Sequence, residues 1–384
     1  MKNKIPFNSP LCTKNQSNNL LKVAKNGHYS GDGPFTKQCH EWLEIYFKKK
    51  CLLTTSCTHA LEMAALICEI GKGDEVIMPS YTFVSSANAF VLRGAKIVFI
   101  DINPETMNMD ETLVEKAITK KTKAIVAVHY AGISCDMDKL MKIKKKHKLL
   151  LIEDAAQAIG STYKNRKLGT FGDFGCLSFH ETKNIHCGEG GALIVNNKRF
   201  FELAEVIREK GTNRSQFYRG KVDKYRWISV GSSYLPSEFN AAYLLPQLLK
   251  LDVITKKRKK LWSRYYQNLS NNKDLGLISI PGNISHNGHM FYIKLESLKQ
   301  RNDLITFLSS VGVHATFHYI PLHESRRCKI YNRFHGTDNH TTKESQKLLR
   351  LPMYYDLTLD DVDFICRKIN EFLSNTSDPC ISPV

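Results

Sequence analysis

The sequence predicts an α/β protein. A large domain carries a mostly parallel mixed sheet between helices, and a smaller C-terminal α/β domain follows. Three observations predict this. Strand-like segments alternate with helical segments from residue 51 to residue 152, which indicates a parallel sheet covered on both faces. The strand Lys148-Leu149-Leu150-Leu151-Ile152 is nearly all apolar. A chain of 384 residues, 42% of them hydrophobic, can bury one large core and one smaller one.

In chain order, residues 1 to 35 read as mostly irregular, with a turn-rich loop at Ser30-Gly31-Asp32-Gly33-Pro34-Phe35. An amphipathic helix follows, marked by Cys39, Trp42, Leu43 and Tyr46 at helical spacing. Cys51 to Thr54 is a short strand. Thr55-Ser56-Cys57-Thr58 then opens a helix over His59 to Glu69. Strands are predicted at 74–78, 96–100, 123–128 and 148–152, with helices at 84–92, 110–119 and 136–147 between them. Residues 161 to 173 form a hairpin-like excursion that turns at Gly169 and Gly172. Two further strands end near Phe179 and begin at Gly191. Lys198 to Lys210 is a helix, and Gly211 to Trp227 a long polar and aromatic loop. Residues 237 to 269 are helical but interrupted by Pro246, which lacks the donor N–H and should kink the helix. The domain junction is placed there, giving a large domain over 1–245, a small one over 246–376 and a disordered tail over 377–384. In the small domain, 289–295 and 314–320 are strands. Residues 301–311, 342–349 and 358–373 are helices.

Composition narrows the function classes. No apolar run reaches membrane-spanning length, and Met1-Lys2-Asn3-Lys4-Ile5-Pro6 lacks a signal-peptide core. A cytoplasmic protein is expected. The eleven cysteines include no CxxC pair, so neither a zinc ribbon nor a thioredoxin-type site is suggested. The net charge of +18 is spread along the chain in short lysine runs without aromatic interleaving. It reads as solvated surface rather than a nucleic-acid site.

Three stretches carry candidate chemistry, each with a plain structural alternative. Ser56, Cys57 and Thr58 at a helix start are ordinary capping residues. They also offer what a phosphate needs: free N–H groups, hydroxyls and the positive end of the helix dipole. Asp154 follows a buried strand, where ligands bind such sheets. It could cap a helix, or pair with a cationic ring nitrogen. Lys183 lies in Ser178-Phe179-His180-Glu181-Thr182-Lys183-Asn184, between two strands and before Gly188-Glu189-Gly190-Gly191. It could be one more surface lysine, or the amine that forms a Schiff base with an aldehyde cofactor. In this order on one sheet, the three make a kit for pyridoxal phosphate.

Six stretches together resemble the DegT/DnrJ/EryC1/StrS sugar aminotransferases, which are fold-type I pyridoxal-phosphate enzymes. They are Thr55–Thr58, Met78–Val84, Glu153–Gln157, Ser178–Asn184, Arg208–Arg214 and Phe317–His323. More narrowly, the chain resembles transaminases that make dTDP-4-amino-4,6-dideoxygalactose for enterobacterial common antigen or O-antigen lipopolysaccharide. The resemblance spans about Ile5 to Ile365. It implies that Lys183 holds the cofactor and shuttles protons, that Asp154 pairs with the pyridine nitrogen, and that Gln157 lies near the ring hydroxyl. It puts Phe83 on the ring and Ser56, Cys57, Thr58 and Ser178 around the phosphate. Substrate contacts would come from the Gly31-Asp32-Gly33 loop, His180, Tyr319 and His323. It further implies a homodimer with the site at its interface, L-glutamate as donor and a dTDP-linked keto-sugar as acceptor. The family's Gly-x-Asn-Tyr-Arg segment, which reaches the partner's phosphate, reads here as Gly231-Ser232-Ser233-Tyr234-Leu235, with Ser233 replacing asparagine.

Two competing readings have less support. A related sugar-dehydratase branch carries histidine where Lys183 stands. A basic nucleic-acid-binding regulator on a borrowed fold rests on net charge alone.

Overall fold

The structure is a computed structural model that describes residues 4–326, 328 and 332–377. Its centre is an eight-stranded sheet in the order β1-β9-β8-β5-β4-β2-β3-β14. The strands are β1 (Lys50–Thr54), β2 (Glu75–Pro79), β3 (Lys96–Ile100), β4 (Thr122–Val128), β5 (Leu150–Asp154), β8 (Phe174–Ser178), β9 (Gly191–Val195) and β14 (Arg333–Phe334). Only β9 runs against the others, between β1 and β8. Strands β2, β8 and β9 are buried along their whole length, as strands covered on both faces must be. A three-stranded flap of β6 (Thr162–Tyr163), β7 (Arg166–Lys167) and β11 (Ile284–Ser285) forms the expected excursion, but its hairpin turns at Lys164 and Asn165, both at positive φ, rather than at Gly169 and Gly172.

The smaller domain packs helices on a four-stranded sheet in the order β10-β12-β15-β13. These strands are β10 (Gly276–Leu277), β12 (Phe291–Lys294), β13 (Thr316–Phe317) and β15 (Leu348–Leu351), and every pairing is antiparallel. The helix Leu251–Leu269 joins the domains. Leu251 and Ile254 pack in the large core, while Leu261, Trp262 and Tyr265 pack in the small one.

Several expectations need correction. Residues 14–26 are helical, not irregular. The Thr13 N–H donates to Gln16 Oε1 at 2.7 Å, and Gly27 ends the helix in the left-handed region at φ 69. The helix Glu238–Leu248 runs through Pro246 and stops two residues later. A proline at 246 leaves the Ala242 carbonyl without its helical donor; Asn19 Nδ2 supplies one at 3.2 Å. The loop after Gly211 contains a short helix, Arg214–Tyr218. The helix expected to reach residue 349 ends at Lys347, because β15 is captured between β12 and β13. The strand expected at 314–320 shrinks to Thr316–Phe317. The chain also crosses the expected boundary twice. Ile5 bridges Val313, and β14 joins the edge of the large sheet beside β3. The last helix ends at Ser377, and the rest of the tail lies outside the described residues. No described helix is long and apolar enough to cross a membrane.

Candidate active site

At the carboxyl ends of β5 and β8 the two domains enclose a cavity of about 560 Å³. The Cys57–Ile67 helix points its first turn at this cavity. Ser56 caps it by accepting from His59 N at 3.1 Å. Cys57 and Thr58, the first two helical residues, line the cavity, and their N–H groups have no partner within the helix. The Thr58 hydroxyl donates to Ser85 Oγ at 2.8 Å. Burial pushes the Cys57 thiol well above its usual range, so it stays neutral. Gly191 lets β9 approach this turn. A Cβ added there would stand 2.4 Å from the Ser56 carbonyl carbon and 2.5 Å from the Cys57 nitrogen.

Asp154 ends β5 and is buried. Its Oδ2 accepts from Ser86 Oγ at 2.6 Å and its Oδ1 from Ala156 N at 3.2 Å. Ser86 is held in turn by Thr82 Oγ1 at 2.7 Å. Beside it, Gln157 Oε1 accepts from Ala131 N at 2.6 Å, and Gln157 Nε2 donates to the Tyr319 hydroxyl at 3.3 Å. The Tyr319 ring lies 6.0 Å from that of Phe83, which is half exposed at the start of the Val84–Val91 helix.

Lys183 sits in the tight connection from β8 to β9. That connection is closed by backbone bonds from Phe179 N to Gly190 O (2.8 Å), Cys187 N to Phe179 O (2.9 Å) and Glu181 N to Gly188 O (2.9 Å). The next residue, Asn184, anchors it to the small domain. Its Nδ2 donates to Asn287 O at 3.0 Å, and its Oδ1 meets His289 Nδ1 at 2.8 Å. Burial lowers the Lys183 amine from its usual range; the positive charge of Arg350 works in the same direction, while Cys57 and Asp154 oppose it. More of the amine is therefore in the neutral, nucleophilic form than for a solvated lysine.

Ser178 and His180 complete the predicted residues that line this cavity. His180 is tied to Thr182 Oγ1 at 2.9 Å. Four predicted residues do not line it. His323 is locked between Ser80 Oγ (2.6 Å) and Asp338 Oδ2 (3.0 Å). Gly31, Asp32 and Ser233 gather elsewhere, around Arg208 and Glu209. Asp32 accepts from Arg208 at 2.8 and 3.0 Å, a Cβ on Gly31 would strike Pro236 O, and Ser233 bridges Glu209.

The structure adds residues that the motifs did not point to. Ser86 holds Asp154, and Arg350, His289, His318, Phe7 and Asn8 line the cavity. For Arg350 a signal existed, because it interrupts the apolar run Leu348-Leu349-Arg350-Leu351.

Residues 10–370 match the family model described as the DegT/DnrJ/EryC1/StrS aminotransferase family. The chain is 30% identical to the spore coat polysaccharide biosynthesis protein SpsC of Bacillus subtilis, over 96% of this chain and 97% of that protein. The aminotransferase TlmJ of Streptoalloteichus hindustanus superposes with a TM-score of 0.89 at 26% identity, covering 97% of this chain and all of that one. The PLP form of the putative sugar aminotransferase Spr1654 of Streptococcus pneumoniae gives 0.88 at 26% identity, covering 97% and 99%; its PMP form gives 0.87 at 26%, with the same coverage. The architecture is the fold-type I arrangement of pyridoxal-phosphate-dependent aminotransferases. From its sequence and from its fold, this chain belongs to the DegT/DnrJ/EryC1/StrS aminotransferase family.

Proposed function

We propose that this aminotransferase moves the amino group of L-glutamate to C4 of dTDP-4-dehydro-6-deoxy-D-glucose, giving dTDP-4-amino-4,6-dideoxy-D-galactose and 2-oxoglutarate. One observation carries the reading. Lys183, Asp154 and the open first turn of the Cys57–Ile67 helix converge on a single cavity. The choice of a sugar is supported by the likeness to the polysaccharide biosynthesis protein SpsC and the putative sugar aminotransferase Spr1654, and the particular nucleotide-linked sugar by the narrower resemblance in sequence.

The site fits pyridoxal 5'-phosphate, the cofactor of the reaction. When bound, it supplies an aldehyde and an electron-withdrawing ring. The N–H groups of Cys57 and Thr58, with the Ser178 hydroxyl, would hold its phosphate at the positive end of the helix. Asp154, fixed by Ser86, would pair with the ring nitrogen and favour its protonated form. Gln157 would lie near the ring hydroxyl, and Phe83 would stack on the ring. The Lys183 amine would hold the aldehyde and would move the proton between the donor's α-carbon and the sugar's C4 on a single face. Tyr319 and His180 border the substrate's space.

A homodimer goes with this reading. The Asp32 loop and the Ser233 segment do not line this chain's own cavity, but they lie together. Nearby Trp227 (78% exposed), Ile228 and Val230 present apolar surface. A second copy covering that face would receive these residues at its own site. A cytoplasmic setting also fits, since every described cysteine is free.

The test is incubation with L-glutamate and a panel of dTDP- and UDP-linked 4-keto-sugars, with products read by mass spectrometry and NMR. The expected product is the 4-amino-galactose nucleotide, formed together with 2-oxoglutarate. A deoxygenated sugar, or no amino sugar from any member of the panel, would overturn the proposal.

A further inference from the structure

Parallel strands share their ends. Strands β5, β4, β2 and β3 are neighbours in that order and all parallel. Their carboxyl ends face the side of the Lys183 cavity, so their amino ends form the opposite edge of the sheet. Each of the four begins beside an exposed lysine. Lys96 is the first residue of β3, Lys72 lies in the turn before β2, Lys120 and Lys121 in the turn before β4, and Lys148 two residues before β5. Backbone contacts draw them together. Lys96 N donates to Asp74 O at 2.9 Å, and Glu75 N donates to Lys121 O at 2.8 Å. A Cβ on Gly94 would stand 3.4 Å from the Lys72 Cα. With strands about 4.8 Å apart, the row is about 15 Å wide.

Lysines near the carboxyl ends of helices often do no more than offset the helix dipole. The other charges of this edge argue for more. Its carboxylates are already engaged: Asp74 with Lys123 at 3.2 Å, Glu75 with Arg333 at 3.3 Å and Asp173 with Lys144 at 2.7 Å. Glu69 is outside these pairs and subtracts one charge. None of the five lysines of the row forms an ion pair among the described residues. The other lysine runs are partly spent. Lys50 pairs with Glu44 and Glu205, Lys146 with Glu115, and Lys257 lies over the Tyr355 ring. Charge that the sequence spreads along its length is thus gathered by the fold on one edge.

We propose that this edge docks the protein on a membrane surface rich in acidic phospholipid. The partner has to be anionic, and it meets an edge rather than a groove: the lysines line neither the Lys183 cavity nor the one beside the Lys14–Asn26 helix. No exposed aromatic side chain stands in these turns to stack on a base. Lysine heads are mobile point charges without the fixed fork of arginine. They suit a fluid layer of headgroups better than a phosphate at a set position. Leu92, 71% exposed in the turn that contains Gly94, offers an apolar contact that a bilayer takes up and nucleic acid does not. Docking here leaves catalysis free, because the site lies at the opposite ends of the strands. The segments assigned above to the second copy lie at that far end too, where Thr55 N, just past β1, donates to Tyr234 O at 3.1 Å.

The experiment is co-sedimentation of the full-length holoenzyme with phosphatidylcholine vesicles, with and without phosphatidylglycerol at about 40%. Binding to the acidic vesicles is expected, and none to the neutral ones. Raising salt from about 0.05 to about 0.3 M should weaken that binding about tenfold. Reversing the row with Lys72→Glu, Lys96→Glu, Lys120→Glu and Lys121→Glu should lower the affinity about 100-fold and leave aminotransfer unchanged. A control with the same change of net charge, Lys22→Glu, Lys37→Glu, Lys256→Glu and Lys260→Glu, should lose less than about threefold. Circular dichroism checks that each variant is folded. Should the reversed row unfold the protein, Lys120→Gln with Lys121→Gln, in their exposed turn, should still cost about tenfold. Equal binding to neutral and acidic vesicles would overturn the proposal. So would an equal loss in the control, which would assign the attraction to net charge alone. A short DNA duplex that binds wild type more tightly than the acidic vesicles at the same salt, and is released by the reversed row, would give the edge to nucleic acid instead.

Discussion

Replacing Gly191 with alanine tests whether the start of the Cys57–Ile67 helix is the cofactor's phosphate seat. The new Cβ would lie 2.4 Å from the Ser56 carbonyl carbon and 2.5 Å from the Cys57 nitrogen. Ordinary contact needs about 1 Å more. The strand cannot yield sideways, because Gly191 pairs with Thr54 on one side and Ser178 on the other. The displacement therefore falls on the Ser56–Cys57 peptide. Overpacking of this kind costs about 1–3 kcal/mol of stability. Hydrogen bonds to a charged group contribute about 1.5–3 kcal/mol each, and shifting one donor by about 1 Å forfeits most of that. Pyridoxal-phosphate affinity should then fall by about 10–100-fold. Chemical denaturation of the apoprotein reads the first effect, and absorbance titration with the cofactor reads the second. Lost stability with unchanged cofactor affinity would refute this turn as the phosphate seat. Unchanged stability would refute the clash itself.

Lys183→Ala should abolish turnover and the borohydride-stable label on the 178–191 peptide; a labelled variant would move the covalent attachment elsewhere. Ser86→Ala removes the 2.6 Å donor to Asp154, and turnover at saturating cofactor should drop about 10–100-fold. A normal kcat would show that Asp154 is held without it. Glu209 supplies a pH test. Burial and the neighbouring Asp32 carboxylate push it up to about 7, above its ordinary 4.5. A carboxyl raised on folding destabilises the native state as pH climbs from the ordinary value through the raised one. Glu209→Gln should therefore stabilise the protein at pH 8 and leave it unchanged at pH 4, as read by thermal melts. An equal gain at both would point to packing rather than titration.

Much of this was legible because one physical signal dominates each legible part. Strands β1 to β5, β8 and β9 are apolar runs bounded by polar turns, and their alternation with helices dictates a parallel sheet. Asp154 ends β5 and Lys183 lies in the connection that follows β8, on the side where such sheets present ligands. The illegible parts depend on partners distant in sequence. His323 lies in a stretch shared with the family, yet its ring is consumed by Ser80, far upstream, and by Asp338. Residues 348–351 become a strand only because β12 and β13 flank them. The Lys14–Asn26 helix carries its start signal at Thr13 and Gln16 and its stop at Gly27, in a stretch whose body is mostly polar. No local pattern links Asn19 to the carbonyl that Pro246 orphans.

Strand β14 has a consequence for how the chain is made. Its two residues cover the outer edge of β3, whose residues Val98 and Phe99 precede it by more than two hundred positions. During translation, the nascent large sheet must wait with that edge bare until Arg333 and Phe334 emerge. Unpaired edges recruit other chains. A ribosome-bound fragment stopped before residue 333 should therefore be the most aggregation-prone point in biosynthesis, and the place where a chaperone has most to protect.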